Sequence, residues 1–119
     1  MLTYSDLPKS DKKIIQALLN LGAQRMYQDG LTKAESVIKK WRKCSADDHS
    51  NEKFYSNLCK TITVHDKLIS RTFDGVSGSR FVITVAGLFF NNILEENDLK
   101  ELTPETREWL LRYKRTMNE

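Results

Sequence analysis

The chain is poor in the residues that interrupt or cross-link a fold. Its 119 residues include five glycines, two prolines, two cysteines and two histidines. So few glycines and prolines, with 39% hydrophobic residues, are typical of a folded globular chain and not of a disordered one. The two cysteines, Cys44 and Cys59, are too few for a disulfide scaffold, and we expect reduced thiols.

Long hydrophobic runs are also missing. The most apolar stretch, "FVITVAGLFFNN" at residues 81–92, is shorter than the roughly 18 apolar residues that a membrane-spanning helix needs. The opening residues, "MLTYSDLPKSDKK", lack the positive region and long apolar region of a signal peptide. We therefore expect a cytoplasmic protein without membrane contact.

A strong excess of charge is absent as well. Nineteen Lys and Arg oppose sixteen Asp and Glu, which gives a net charge of +3. Residues 1–60 carry about +4 and residues 61–119 about −1. The excess lies largely in "KKWRK" at residues 39–43, so the chain is mildly basic in one segment and not along its length.

Length and periodicity predict a single helical domain over residues 1–119, an all-α compact bundle of about five helices. The first helix begins near Ser10, with Asp11 as an acid at its positive end, and stops at Gly30 in a left-handed conformation. A second helix opens with a capping box formed by Thr32 and Glu35.

A polar joint at residues 45–52 precedes a third helix, which Ser50 caps and Gly75 ends. Its apolar positions follow one helical face, and they are Phe54, Leu58, Ile62, His65, Ile69 and Phe73. Residues 60–66 also alternate as a strand would, so helix and strand both stay open there.

The fourth predicted helix covers residues 79–96 and is apolar nearly all round in its first turns, as a buried helix is. Residues 81–85 alone also suit a buried strand. The fifth helix has the clearest start, with Thr103 as its cap, Pro104 as its first residue and an acid in its first turn.

No constellation of catalytic or metal-binding residues stands out. Cys44, His49, Cys59 and His65 have an interleaved spacing that fits tetrahedral zinc poorly. We expect His65 to be a core histidine bonded to a backbone carbonyl, and the acids near residues 95–108 to be solvated. "GVSGS" lacks the ending of a phosphate loop. We therefore expect no catalytic residue, no metal, no cofactor and no enzyme activity.

The basic second helix is one functional candidate. A helix, a glycine turn and a capped basic helix in succession form the outline of a helix-turn-helix, whose second helix enters the major groove. The alternative is a solvated face with aliphatic stems along Trp41. The residues expected to contact nucleic acid or an acidic partner are Lys33, Lys39, Lys40, Arg42 and Lys43.

The apolar fourth helix is the other candidate. Phe89 shares a face with Val82, Val85 and Ile93, and we expect this face in the core. The opposite face is the expected interface with a second copy, and it consists of Ile83, Ala86, Gly87, Phe90 and Leu94.

The leading hypothesis is a small non-enzymatic helical interaction or regulatory protein, a homodimer that acts through protein–protein contacts. The alternative is a DNA-binding transcriptional regulator that uses the basic second helix.

Overall fold

The structure, a computed structural model, describes residues 2–44 and 48–119. It confirms the all-α prediction, and the described residues contain no strand. The described residues form four α-helices where five were expected, because the first two predicted helices are continuous. Residues 60–66 and 81–85, where helix and strand were both open, are helical. They are α1 (Lys9–Lys43), α2 (Asp48–Phe73), α3 (Phe81–Phe90) and α4 (Pro104–Met117), with short 3₁₀ helices at Tyr4–Asp6, Gly78–Arg80 and Glu96–Leu99.

The chain divides into two compact units instead of forming one compact bundle. The terminal unit comprises residues 1–25 and 73–119, and the hairpin unit comprises residues 26–72. α1 contributes its first part to the terminal unit and its second part to the hairpin unit. The single domain over residues 1–119 stays a prediction.

Within the described residues, no individual helix has the length and apolar character needed to cross a bilayer. One bent pair, Ser50–Phe73 with Gly78–Phe90, meets those two criteria only when both segments are counted together.

The predicted break between the first and second helices is wrong, because α1 continues through Gly30. Gly30 does not have a positive φ, so it does not form a left-handed cap. Thr32 is not a cap either, since its hydroxyl donates a hydrogen bond to the Gln28 carbonyl 2.9 Å away, one helical turn earlier. The turn signals in the sequence are local preferences, and tertiary packing overrides them here.

Packing explains why glycine occupies position 30. A Cβ built there would lie 2.5 Å from Cδ2 of His65, so only glycine lets the imidazole lie against the backbone of α1. The ring nitrogen Nε2 of His65 is 2.5 Å from the Met26 carbonyl oxygen. A carbonyl only accepts, so Nε2 carries the proton and donates. The predicted core histidine is confirmed.

The third predicted helix is confirmed as α2, with a correction at its start. α2 begins at Asp48, so Ser50 lies inside the first turn and is not a cap. Residues 45–47 of the predicted polar joint lie outside the described residues. At the other end α2 stops at Phe73, close to Gly75 as predicted, and Gly75 has a positive φ of 72°.

The core of the terminal unit forms around α3. Gly22 of α1 lets this helix approach, because a Cβ at Gly22 would lie 2.6 Å from Cδ1 of Leu88. α3 also packs against α4. The large fully buried side chains of this unit are Phe89, Ile15, Leu88, Leu94, Leu99, Leu102 and Leu110.

The fourth predicted helix, residues 79–96, is too long at both ends. A 3₁₀ helix precedes α3, and α3 ends at Phe90. Asn92 adopts a left-handed φ of 63°. The amide of Asn92 bonds to the Phe89 carbonyl at 3.1 Å and the amide of Ile93 to the Leu88 carbonyl at 3.0 Å. This is a Schellman motif with asparagine where glycine is usual, which is why the sequence signal is weak.

Asp11 ties the start of α1 to the start of α4. The prediction of a simple first-turn acid is incomplete, because Asp11 is fully buried. Its carboxylate accepts from the Thr103 amide (2.9 Å), the Thr103 hydroxyl (2.6 Å) and the Thr106 hydroxyl (2.5 Å). Burial raises the pKa of Asp11, but these hydrogen bonds together outweigh burial and lower it. Thr103 holds the predicted N-cap position but uses its side chain for Asp11.

A second polar tie joins α1 to the segment after α3. The Arg25 guanidinium binds both oxygens of Asp98, at 2.6 and 3.0 Å, and donates to the Ile93 carbonyl at 2.8 Å. Asp98 also accepts from the Glu95 amide at 2.7 Å. The hydrogen bond from Arg25 is the main cause that lowers the pKa of Asp98, against the opposing effect of burial.

We predict that Asp11→Asn lowers the free energy of unfolding at pH 7 by about 1.5–3 kcal/mol, the usual range for hydrogen bonds to a charged group. The pKa of Asp11 and that of Asp98 are both lowered on folding. Their stabilisation is therefore complete above the ordinary carboxyl pKa, about 3.9, and is lost as the pH falls through the folded values. Chemical denaturation from pH 7 to pH 2 should show this loss, with a smaller slope in the variant.

The matched control is Asp66→Asn, because Asp66 is exposed. We expect it to change the free energy of unfolding by less than about 0.5 kcal/mol. Equal stability of Asp11→Asn and the wild type at pH 7 would show that the buried carboxylate does not hold the two helix starts together.

Two glycine substitutions should act in opposite directions. Gly30→Ala places a methyl group against His65 and should lower the free energy of unfolding by about 1–3 kcal/mol. Gly87→Ala meets nothing within 4 Å, and the gain in helix propensity should raise stability by about 0.5–1 kcal/mol. Urea denaturation measures both. In a His65→Ala background the cost of Gly30→Ala should shrink, and a cost that stays the same would rule out the contact with His65.

Candidate protein-interaction groove

An apolar groove lies in the hairpin unit, between the end of α1 and the start of α2. Its volume is about 350 Å³. The side-chain amide of Asn51, which lines the groove, accepts a hydrogen bond through Oδ1 from Nε1 of Trp41 at 2.8 Å. The groove is lined by Val37, Ile38, Trp41, Asn51, Phe54, Tyr55 and Leu58.

The groove exists because α1 and α2 bury only one interface between them, which we call the seam. The seam buries Met26, Ala34 and Val37 of α1 against His65 and Ile69 of α2. Apolar residues next to the seam have no third helix to cover them within this unit. They stay exposed and line one side of the pair.

By their helical spacing, these side chains lie on one flank of the helix pair. On α1, Tyr27, Leu31 and Ile38 recur at i, i+4 and i+11, the spacing of one helical stripe. Ile38 and Tyr55 line the same groove, so the stripes of the two helices lie on one side. The exposed fraction reaches 72% at Leu31 and at Tyr55. We call this surface the apolar flank, and its exposed members are Tyr27, Leu31, Ile38, Trp41, Tyr55 and Ile62.

Positive charge borders the groove. The Arg42 guanidinium lies over the Trp41 ring, 5.8 Å from its centroid. The hairpin unit contains nine Lys and Arg against six Asp and Glu, a net charge of +3, whereas the terminal unit contains ten of each. The whole net charge of the protein is therefore carried by the unit that has the groove.

The predicted basic contact residues all lie on α1 and are all exposed, and they are Lys33, Lys39, Lys40, Arg42 and Lys43. Two of them have acidic neighbours one turn earlier, with Lys33 Nζ 3.1 Å from Asp29 and Lys39 Nζ 3.5 Å from Glu35. The helix-turn-helix outline is wrong, because no turn separates the two predicted helices. Contact with nucleic acid or an acidic partner stays a prediction.

A second hollow on the hairpin unit is more polar, with a volume of about 540 Å³. Its basic residues are Lys33, Lys60 and Arg71, around Val64 and Leu68. Lys33 already pairs with Asp29. This hollow combines charge and apolar surface without the continuous apolar floor of the groove.

The predicted dimer face on α3 is not a single exposed surface. Ala86 and Leu94 are 0% exposed within one chain, while Ile83, Gly87 and Phe90 are half-buried. After Phe90 the chain turns, and this turn places Leu94 inside the chain. In the longer predicted helix, Leu94 would have stayed beside Phe90. Association of two copies stays a prediction. The expected core position of Phe89 is confirmed.

The residues considered for chemistry do not come together. Cys44 and Cys59 are exposed free thiols, and His65 is committed to the Met26 carbonyl. The His49 side chain lies outside the described part of the structure. Among the side chains that the structure describes, no group of three His, Cys, Asp or Glu is placed to hold a metal ion.

The groove is not evident from periodicity alone, although a signal for it is present. That signal is the width of the apolar side of α1, which includes Ile38 and Trp41. With Tyr27 and Leu31 included, the apolar arc of α1 is wider than one neighbouring helix covers. The width of the apolar arc indicates an additional partner, whereas the presence of an apolar arc alone does not.

Comparison with known proteins adds no assignment: no protein family, no curated protein and no solved structure matches this chain.

Truncation of two adjacent aromatics should distinguish core from surface on α3. Phe89→Ala should lower the free energy of unfolding by about 3–5 kcal/mol, as large core truncations do, because Phe89 is 2% exposed. Phe90 is half-buried, so Phe90→Ala should cost clearly less. Thermal and urea denaturation measure both, and equal losses would contradict the placement of these two rings.

Proposed function

We propose that this chain is a small non-enzymatic helical interaction protein that acts through protein–protein contacts. The apolar groove of the hairpin unit supports this proposal most directly. An exposed apolar flank costs free energy in water, and surfaces of this kind commonly mark sites of association.

The composition of the groove favours binding over catalysis. Catalysis by side chains needs groups that exchange protons or attack substrate within reach of one another. Apart from the Tyr55 phenol, the lining side chains that the structure describes do not ionise. Trp41 and Tyr55 are the aromatic types that contribute most at the centres of protein interfaces.

A homodimer is the alternative form of this function, in which a second copy takes the place of another protein as the partner. The half-buried residues on α3 leave little apolar surface there, because Ala86 and Leu94 are inside the chain. The apolar flank of the hairpin unit offers more exposed apolar side chains, so a partner of either kind, a second copy or another protein, is better placed there.

Site-specific photo-crosslinking tests this function. A photoreactive phenylalanine analogue replaces Tyr55, which is 72% exposed, in the cells that produce the protein. We expect an adduct of discrete mass, including the mass of two chains if the partner is a second copy. The matched control places the analogue at Met117, an exposed apolar residue of the terminal unit. No adduct from Tyr55, or the same adducts from both sites, would contradict an interaction function of the groove.

A further inference from the structure

We propose that the occupant of the groove is an acidic amphipathic helix of another protein, a partner that rests on the interaction function proposed above. Its apolar side chains fill the groove and cover the apolar flank. Its carboxylates face the basic residues at the end of α1. A second copy, a membrane surface and nucleic acid are the competing occupants.

The shape of the surface favours a helix. His65 of α2 bonds to Met26 of α1, and Asn51 of α2 bonds to Trp41 of α1. The later residue on α1 therefore pairs with the earlier residue on α2, so the two helices are antiparallel. The groove beside such a pair accepts a third helix, whose ridge of side chains packs between them. From Tyr27 to Trp41 the flank extends about 21 Å along α1, at 1.5 Å per residue. An occupant helix of about four turns covers that length.

Charge favours an acidic occupant over a second copy. The hairpin unit carries a net charge of +3, and the Arg42 guanidinium lies 5.8 Å from the ring centroid of Trp41, which lines the groove. Two copies joined through this flank would bring two units of the same positive sign together. Complementary potentials accelerate association and suppress partners of like charge, so a helix with Asp and Glu beside its apolar face suits the surface.

The groove also argues against the other occupants. A bilayer surface is flat or convex at this scale, and it does not fill a concave volume of about 350 Å³ with ordered side chains. Nucleic acid is bound mainly through its phosphates, and the groove floor consists of apolar side chains with Asn51 already bonded to Trp41.

A pair of designed peptides tests the proposal on the full-length protein. Both are 18-residue hydrocarbon-stapled helices with leucine at four positions spaced i, i+4, i+7 and i+11. One has glutamate and the other lysine at the positions beside the leucines. Fluorescence anisotropy of labelled peptide should give an affinity at least about tenfold higher for the acidic peptide, and this preference should shrink as salt rises.

Variants separate the two parts of the recognition. Tyr55→Glu should weaken binding of the acidic peptide, whereas the matched Met117→Glu, at an exposed residue outside the groove, should leave it unchanged. Changing Lys39, Lys40, Arg42 and Lys43 together to glutamine should reduce the preference for acidic over basic peptide by about tenfold. Circular dichroism confirms that each variant retains its helices.

Three results would overturn the acidic helix as occupant. One is equal binding of the two peptides. Another is a monomer–dimer equilibrium in sedimentation that Tyr55→Glu abolishes and Met117→Glu does not, which identifies a second copy. The third is tighter binding to duplex DNA, or to vesicles of 30% phosphatidylserine in phosphatidylcholine, than to the acidic peptide. An adduct from Tyr55 without an acidic preference overturns this inference alone, whereas no adduct overturns the interaction function as well.

Discussion

The close approach of His65 to a glycine backbone is the contact on which the hairpin unit depends. Gly30 has no side chain, so the imidazole lies against α1 and donates to the Met26 carbonyl. Beyond this contact the seam buries only a few small and medium apolar side chains. This buried hydrogen bond fixes the register of the two helices. If α2 shifted along α1, the imidazole donor would lose its partner, and the ring would meet a Cβ in place of the glycine. The groove then follows, since a thin seam leaves the neighbouring apolar residues uncovered.

Much of the fold is predictable from the sequence where a pattern is long or a signal is chemically specific. The apolar stripe of α2, the proline start of α4 and the core position of Phe89 were predicted correctly. The errors lie where local signals meet tertiary contacts. Residues 29–35 contain an Asp-Gly pair and the Thr32–Glu35 capping pattern, which in isolation favour a break. The sequence does not show that His65 will cover the glycine. Asn92 ends α3 through a conformation that few asparagines adopt, and residue type alone does not indicate it.

The candidate site was predictable in part. The basic residues at the end of α1 are exposed, as expected of charged side chains, but their meaning depends on the groove beside them. That groove requires two stripes, on α1 and α2, to lie on the same side of a helix pair. Periodicity shows which residues of one helix share a face, but it does not show which faces of α1 and α2 lie next to each other. The buried carboxylate of Asp11 was missed for the same reason, since its partners Thr103 and Thr106 lie more than 90 residues later.

The separation in sequence between Asp11 and its partners on α4 sets an order for folding during synthesis. The hairpin unit uses one uninterrupted segment, residues 26–72, so all of its contacts are available once that segment has left the ribosome. The terminal unit needs residues from both sides of it, and the bonds of Asp11 wait until Thr106 has emerged. Contacts between residues distant in sequence form more slowly than local ones, because a longer loop must close first. The first part of α1 and the apolar α3 therefore leave the ribosome before α4 is there to pack against them. During that interval Val82, Val85 and Phe89, which the folded chain buries, are open to chaperones and to aggregation.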